Sequence, residues 1–233
     1  MKLNTIRALI ALLSMCGASS AAVIIDDFST DQARQAINSG AIDSGLFSVS
    51  SLGGARNISL VIDTENQPNE SSFAVASGNL DFSNAIGMAS TMTVIWDGGT
   101  DSTLTPNGFA PVDLTEAGAN SYIRLATSGD FALNSVLTLW SGDGNLATWN
   151  FVLPSSVGLS NVDLVFGSPS TTIGAFDISA VTAARLVVAG ITNADRSIDF
   201  IAADTTGEVP EPTSIALVGF GTLALGWISR RRR

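Results

Sequence analysis

The chain contains no histidine and one cysteine, Cys16. Without histidine there is no Ser-His-Asp or Cys-His catalysis and no histidine-based zinc or copper site. With its only cysteine so close to the N-terminus, the body of the chain forms no intramolecular disulfide, and its stability must come from packing or bound ions. Basic residues are also scarce, 11 against 21 acidic ones. Glycine-rich nucleotide fingerprints are missing, because Gly53-Gly54 and Gly98-Gly99 lack the required spacing and a following helix. No repeat of fixed period is present.

What is there falls into three parts. Lys2 and Arg7 form a positive n-region, residues 8–15 a short apolar h-region, and residues 17–22 a run of small residues. Residues 1–22 therefore read as a signal peptide, too short in its apolar part to span a bilayer stably. Ser20 and Ala22, or Ala18 and Ser20, suit the −3 and −1 cleavage positions. Residues 13–16 superficially resemble a lipoprotein box, but Met15 stands where a small residue is expected before Cys16.

Residues 23–208 form the middle part, long enough for one domain with a real core. It keeps five basic residues (Arg34, Arg56, Arg124, Arg185 and Arg196) against 20 acidic ones, a net charge of −15. Such a surface argues against nucleic acid and anionic lipid as partners and favours solubility and cation binding. Paired carboxylates can in principle act as in glycosidases, although with 20 acids some pairs come close by chance. The chain is expected not to be an enzyme, a carboxylate-based glycoside hydrolase being the weaker alternative.

The pattern in this part is β. Short apolar or alternating runs bounded by Gly, Asn, Asp, Ser and Pro predict strands over 23–28, 58–64, 72–77, 90–96, 122–127, 135–141, 146–153, 162–166, 184–189 and 197–202. Only residues 31–38 look helical, with Ser29 and Gln32 as a capping box and Gly40 as the stop. Many short strands and little helix predict an all-β, antiparallel β-sandwich. The clearest hairpin is SVLTLWSGDGNLATWNFVL. An Asp143-Gly144 type I′ centre would pair Trp140 with Ala147 and Thr138 with Trp149, putting Trp140 and Trp149 on one face. Both tryptophans are expected in the core; the alternative makes them a sugar-stacking platform. The opening Ile25-Asp26-Asp27-Phe28, the closing Ile198-Asp199-Phe200-Ile201 and Arg56 resemble the end strands of jelly-roll domains of the carbohydrate-binding kind. That resemblance implies neighbouring first and last strands, with Asp26 or Asp27 and Asp199 sharing a structural Ca²⁺; the alternative leaves these acids exposed or paired with Arg185 and Arg196. No other cofactor is expected.

Residues 209–233 run VPEPTSIALVGFGTLALGWISRRRR. Pro210 and Pro212 favour an extended backbone. Residues 213–228 are uncharged, about 24 Å long as a helix at ~1.5 Å per residue. That is slightly short of the ~30 Å hydrocarbon core, which thinning and arginine snorkelling accommodate. Arg230, Arg231, Arg232 and Arg233 resist translocation and hold the segment in the membrane. An ordinary single-span anchor explains the last two features but has no use for Pro210-Glu211-Pro212. All three in this order resemble the PEP-CTERM sorting signal of Gram-negative bacteria. The resemblance implies an exosortase as partner, with signal peptidase and the general secretion machinery. It also implies a membrane-anchored precursor, removal of the tail, and delivery to the cell surface or extracellular matrix. The function expected is therefore that of a non-catalytic surface protein associated with exopolysaccharide and biofilm. A carbohydrate-binding module acting on that polysaccharide is the alternative.

Overall fold

A computed structural model describes residues 22–99 and 103–205. The expected signal peptide up to residue 21, the Pro210-Glu211-Pro212 motif, the expected membrane segment 213–228 and the arginine cluster lie outside the described residues. Fourteen strands, numbered in chain order, form two seven-stranded antiparallel sheets. The first sheet holds β1 (Val23–Asp26), β2 (Gln32–Ile37), β5 (Ser71–Ala76), β6 (Asn79–Asn84), β8 (Tyr122–Gly129), β11 (Ser156–Val165) and β14 (Asp195–Asp204). Its order is β11-β8-β14-β6-β5-β2, with β1 also beside β14. The second holds β3 (Ala41–Ser48), β4 (Ala55–Thr64), β7 (Ala89–Trp96), β9 (Leu133–Trp140), β10 (Leu146–Leu153), β12 (Thr171–Ile173) and β13 (Ala183–Ala189), ordered β12-β10-β9-β13-β7-β4-β3. The only helical elements among the described residues are two three-residue 3-10 turns. No described helix is long and apolar enough to cross a membrane.

The period of two decides which side chains meet between the sheets. Phe73 and Val75, Leu80 and Phe82, and Ile123 and Leu125 point inward from the first sheet. Ile58 and Leu60, Met92 and Val94, Leu137 and Leu139, and Leu186 and Val188 meet them from the second, in one continuous core. The fold is thus the antiparallel sandwich that the alternation implies.

Two expectations are corrected. Residues 31–38 are not a helix, because Gln32–Ile37 pairs with β5. A single eight-residue helix is marginal by itself, whereas a strand here satisfies the open edge of β5. Ser29 does not cap; its hydroxyl donates to Asp27. The second correction is the hairpin register. Trp140 pairs with Leu146, Thr138 with Thr148 and Leu137 with Trp149. Gly142 and Gly144 take positive φ, 100° and 75°, and Ser141 N–H donates to Asn145 O, so the connection holds one residue more than expected. A one-residue slip turns alternate side chains to the other face. Trp140 and Trp149 therefore lie on opposite faces of their sheet.

Candidate functional site

β1 and β14, the first and last strands, pair with each other, Val23 opposite Ala203 and Ile24 opposite Ala202. The register then shifts, so that Asp26 lies opposite Ile201. A bulge of this kind turns successive side chains toward one side. Ile25 and Asp26 are accordingly both buried, and Asp26 is aimed into the sandwich.

There Asp26 meets a complete set of donors. Arg56 Nη1, from β4, lies 3.0 and 2.9 Å from its two oxygens. Trp96 Nε1, from the end of β7, donates at 2.7 Å, and the Phe28 backbone N–H at 2.9 Å. Arg56 Nη2 donates to Thr30 O at 3.0 Å, and the Phe28 ring sits 5.3 Å from the guanidinium carbon. Phe28 holds the left-handed value φ 50°, stabilised by the Asp26 turn and by the guanidinium over its ring. Both charges are fully buried, at 0 % and 2 % side-chain exposure. The cluster ties the first sheet to the second through one carboxylate.

This geometry corrects the placing of Asp26 in a calcium site. Its oxygens are taken by four hydrogen bonds, whereas calcium needs six to eight oxygen ligands. Asp27 faces solvent and accepts from the Ser29 hydroxyl at 2.6 Å and the Ser29 N–H at 3.0 Å, which hold its pKa below the usual value. Asp199 occupies the bulge of β14 between Ile198 and Phe200. No three His, Cys, Asp or Glu among the described residues are grouped to hold an ion. Neither arginine nominated for these acids takes them. Arg196 is buried and donates to Pro154 O at 2.9 Å and to Phe131 O, and burial lowers its pKa. The Arg185 guanidinium lies 5.3 Å from the Trp140 ring centre.

Trp96, Trp140 and Trp149, the tryptophans among the described residues, are all buried. Trp149 points into the core, edge-on to Phe176 at 6.4 Å, with Nε1 donating to Val165 O at 3.0 Å. Trp140 is on the other face of its sheet, beneath Arg185. Neither ring presents an open face of the kind sugar stacking requires.

A shallow groove of about 330 Å³ lies over the first sheet. Asp81, Ser83, Ser128, Asp130, Asp195 and Ser197 line it. Asp130 Oδ1 accepts the Asp195 N–H at 2.9 Å, and Ser197 Oγ lies 3.3 Å from Asn79 Oδ1. Phe82, Gly129 and Arg196 complete the lining, so three carboxylates and three hydroxyls share the groove with a cation and apolar surface. Sequence reasoning missed both the groove and the Arg56 partner of Asp26. Arg56 opening an apolar run, ARNISLVI, was a usable signal, since a charge buried at a strand start requires a counter-charge.

Among comparisons with known proteins, a family model of the PEP-CTERM protein-sorting motif matches residues 208–233. The chain carries that motif at its C-terminus. A search of curated proteins found no match. Among solved structures, the described fold is similar to the family 11 carbohydrate-binding module of cellulosomal cellulase Lic26A-Cel5E of Clostridium thermocellum. Identity is 12 %, the TM-score 0.39, and coverage 82 % of this chain and 98 % of that one. The family 30 module of cellulase Cel9D-Cel44B of the same organism gives 14 % identity and a TM-score of 0.39, covering 81 % of this chain and all of that one. An agarase, AgWH50C, gives 8 % and 0.44, over 81 % of this chain and 25 % of that one. At these values no ligand or activity carries over to this chain.

Proposed function

We propose that this chain is an exported surface or extracellular-matrix protein whose C-terminal tail is removed by an exosortase. Its sandwich serves there without catalysis, in association with exopolysaccharide. The observation that carries the reading is the sorting motif over residues 208–233, with Pro210-Glu211-Pro212, apolar segment and arginine cluster in order. The precursor is held in the inner membrane by residues 213–228 and Arg230 to Arg233 until the tail is cut. The restricted, extended Pro210-Glu211-Pro212 segment is what the enzyme reads. The test replaces these three residues by alanine in an exosortase-positive cell. Secretion across the inner membrane should persist, while the protein stays in the membrane fraction with its tail attached. Normal release of the triple variant would sink the reading.

A second reading makes the sandwich a carbohydrate-binding module. The groove over the first sheet favours it, because three carboxylates and three hydroxyls there can hydrogen-bond sugar hydroxyls. Glycan-array binding lost on Asp81→Ala would support it, and binding indifferent to that change would remove the groove from consideration.

A further inference from the structure

Side chains alternate along a strand, and residues directly opposite one another in an antiparallel ladder share a face. In β14, Arg196 and Ile198 are buried and point inward. Plain alternation would send Phe200 the same way. Asp199, however, is an extra residue, inserted between Ile198 opposite Thr127 and Phe200 opposite Ala126. Beyond it Ile201 and Ala203 take the inward places, opposite Leu125 and Ile123 of the core. The bulge thus turns Phe200 onto the outer face of the first sheet. Bulges recur beside functional sites because they re-aim a side chain.

Phe200 is half-buried and belongs neither to the core nor to the side chains packed against it. No ring or guanidinium among the described residues stacks on it. The face around it is a trough. Ala126 and Ala202 form the floor, each 2 % exposed. Asn161 of β11 also lies opposite Ala126, so Asn161 and Phe200 stand on the two flanking strands, ~10 Å apart at twice the strand spacing. The Asn161 amide and the Asp199 carboxylate engage no partner among the described residues. At one end Arg124 lies 4.8 Å from the Tyr122 ring centre and pairs with Asp163 on one side and Asp204 on the other. At the other end the trough runs into the groove, where Ser197 lies opposite both Ser128 and Asp81.

We propose that Phe200 is the stacking residue of a trough that binds a neutral glycan chain. The proposal rests on the second reading above and adds the ligand class and the contact residue. An aromatic ring carries negative charge on its face, which suits the C–H face of a pyranose. The hydroxyls at the edge of the sugar then meet Asn161, which donates and accepts, and Asp199, which accepts. The alanine floor leaves room for the sugar between the two walls. Asp81, Asp130, Asp195 and Asp199 repel uronate and sulfate groups, so the chain that fits is uncharged.

The test runs the full chain through native gels holding hydroxyethylcellulose, galactomannan or dextran, with alginate as the acidic control. Migration should be retarded in at least one neutral gel and not in alginate. Phe200→Ala should weaken that retardation about tenfold, the effect of losing one aromatic contact, and Phe200→Tyr should keep it. Asn161→Ala should weaken it about threefold, the effect of one hydrogen bond. An unchanged melting temperature shows that the variants fold, and Asn161→Ala carries the test alone where Phe200→Ala lowers it. Retardation that survives both Phe200→Ala and Asn161→Ala would overturn the trough and leave the second reading standing. No retardation in any neutral gel, or retardation in alginate alone, would overturn both.

Discussion

The sandwich and the C-terminal segment encode their roles in opposite ways. In the sandwich the information is spread over contacts between distant residues, such as Asp26 with Arg56 and Trp96, 30 and 70 positions apart. No short stretch specifies it, and removing one partner strands another in a dry interior. In residues 208–233 the information is local and linear: a rigid motif, an apolar run and a charge cluster, meaningful by their order. One region should therefore fail by unfolding and the other by misdelivery, each without the other.

The sharpest way to break that separation is the tail. Replacing Pro210, Glu211 and Pro212 by alanine should eliminate tail removal, an all-or-none effect, while the melting temperature of the sandwich stays unchanged. Deleting residues 230–233 should lower processing and weaken membrane retention. A drop in sandwich stability in either variant, measured by thermal unfolding, would show the two regions to be coupled.

Next in size is Arg56→Ala. Removing one partner of a buried pair leaves an uncompensated charge and costs ~3–5 kcal/mol. Arg56→Lys should recover only part of this, since an ammonium cannot reproduce the bonds of Nη1 to Asp26 and Nη2 to Thr30. Denaturant midpoints measure both, and a near-neutral Arg56→Ala would mean that Asp26 is not confined as described. Trp149→Ala should cost a similar ~3–5 kcal/mol, the range for truncating a large core aromatic. Trp140→Ala should fall at or below the low end, because its side of the sheet can relax toward solvent.

These contrasts bear on what the sequence revealed. All ten runs read as strands fall on strands, because an apolar or alternating pattern over five to eight residues survives whatever tertiary packing adds. β3 escaped because Asp43 to Leu46 contains a bulge and Gly45 at φ 69°, which interrupt the period of two. β6, NLDFSN, was legible in hindsight from Leu80 and Phe82 alternating with polar neighbours. β2 was misread because local helix signals compete with the pairing demand of β5, which is invisible in one segment. The hairpin slip came from a single residue: Gly142 adopts φ 100° and lengthens the connection. The Asp26–Arg56 pair was half visible, since both residues stood out but nothing local joined them. The sorting segment was legible because its meaning is sequential.

Smaller effects test the surface of the sandwich. Arg124→Ala removes the exposed pairs with Asp163 and Asp204 and should cost only ~0.2–1 kcal/mol. Smallest is the acid response of the turn carboxylates. Hydroxyl bonds from Ser29, Thr115 and Ser179 lower the pKa values of Asp27, Asp113 and Asp177. A lowered folded pKa contributes stability above the unfolded value, ~3.9, which is lost as pH falls through the folded values. These three turns should therefore leave stability flat from pH 7 to about 5 and reduce it slightly below about 4. Thermal unfolding across pH, compared with Asp27→Asn, reads that contribution.

The central claim is that the tail is a processed address rather than a permanent anchor. Mass spectrometry of the C-terminal peptide of the native, mature protein from an exosortase-positive cell tests it directly. The account predicts a C-terminus near Pro210-Glu211-Pro212, with residues 213–233 removed. A mature protein that still ends in Arg233 would contradict it.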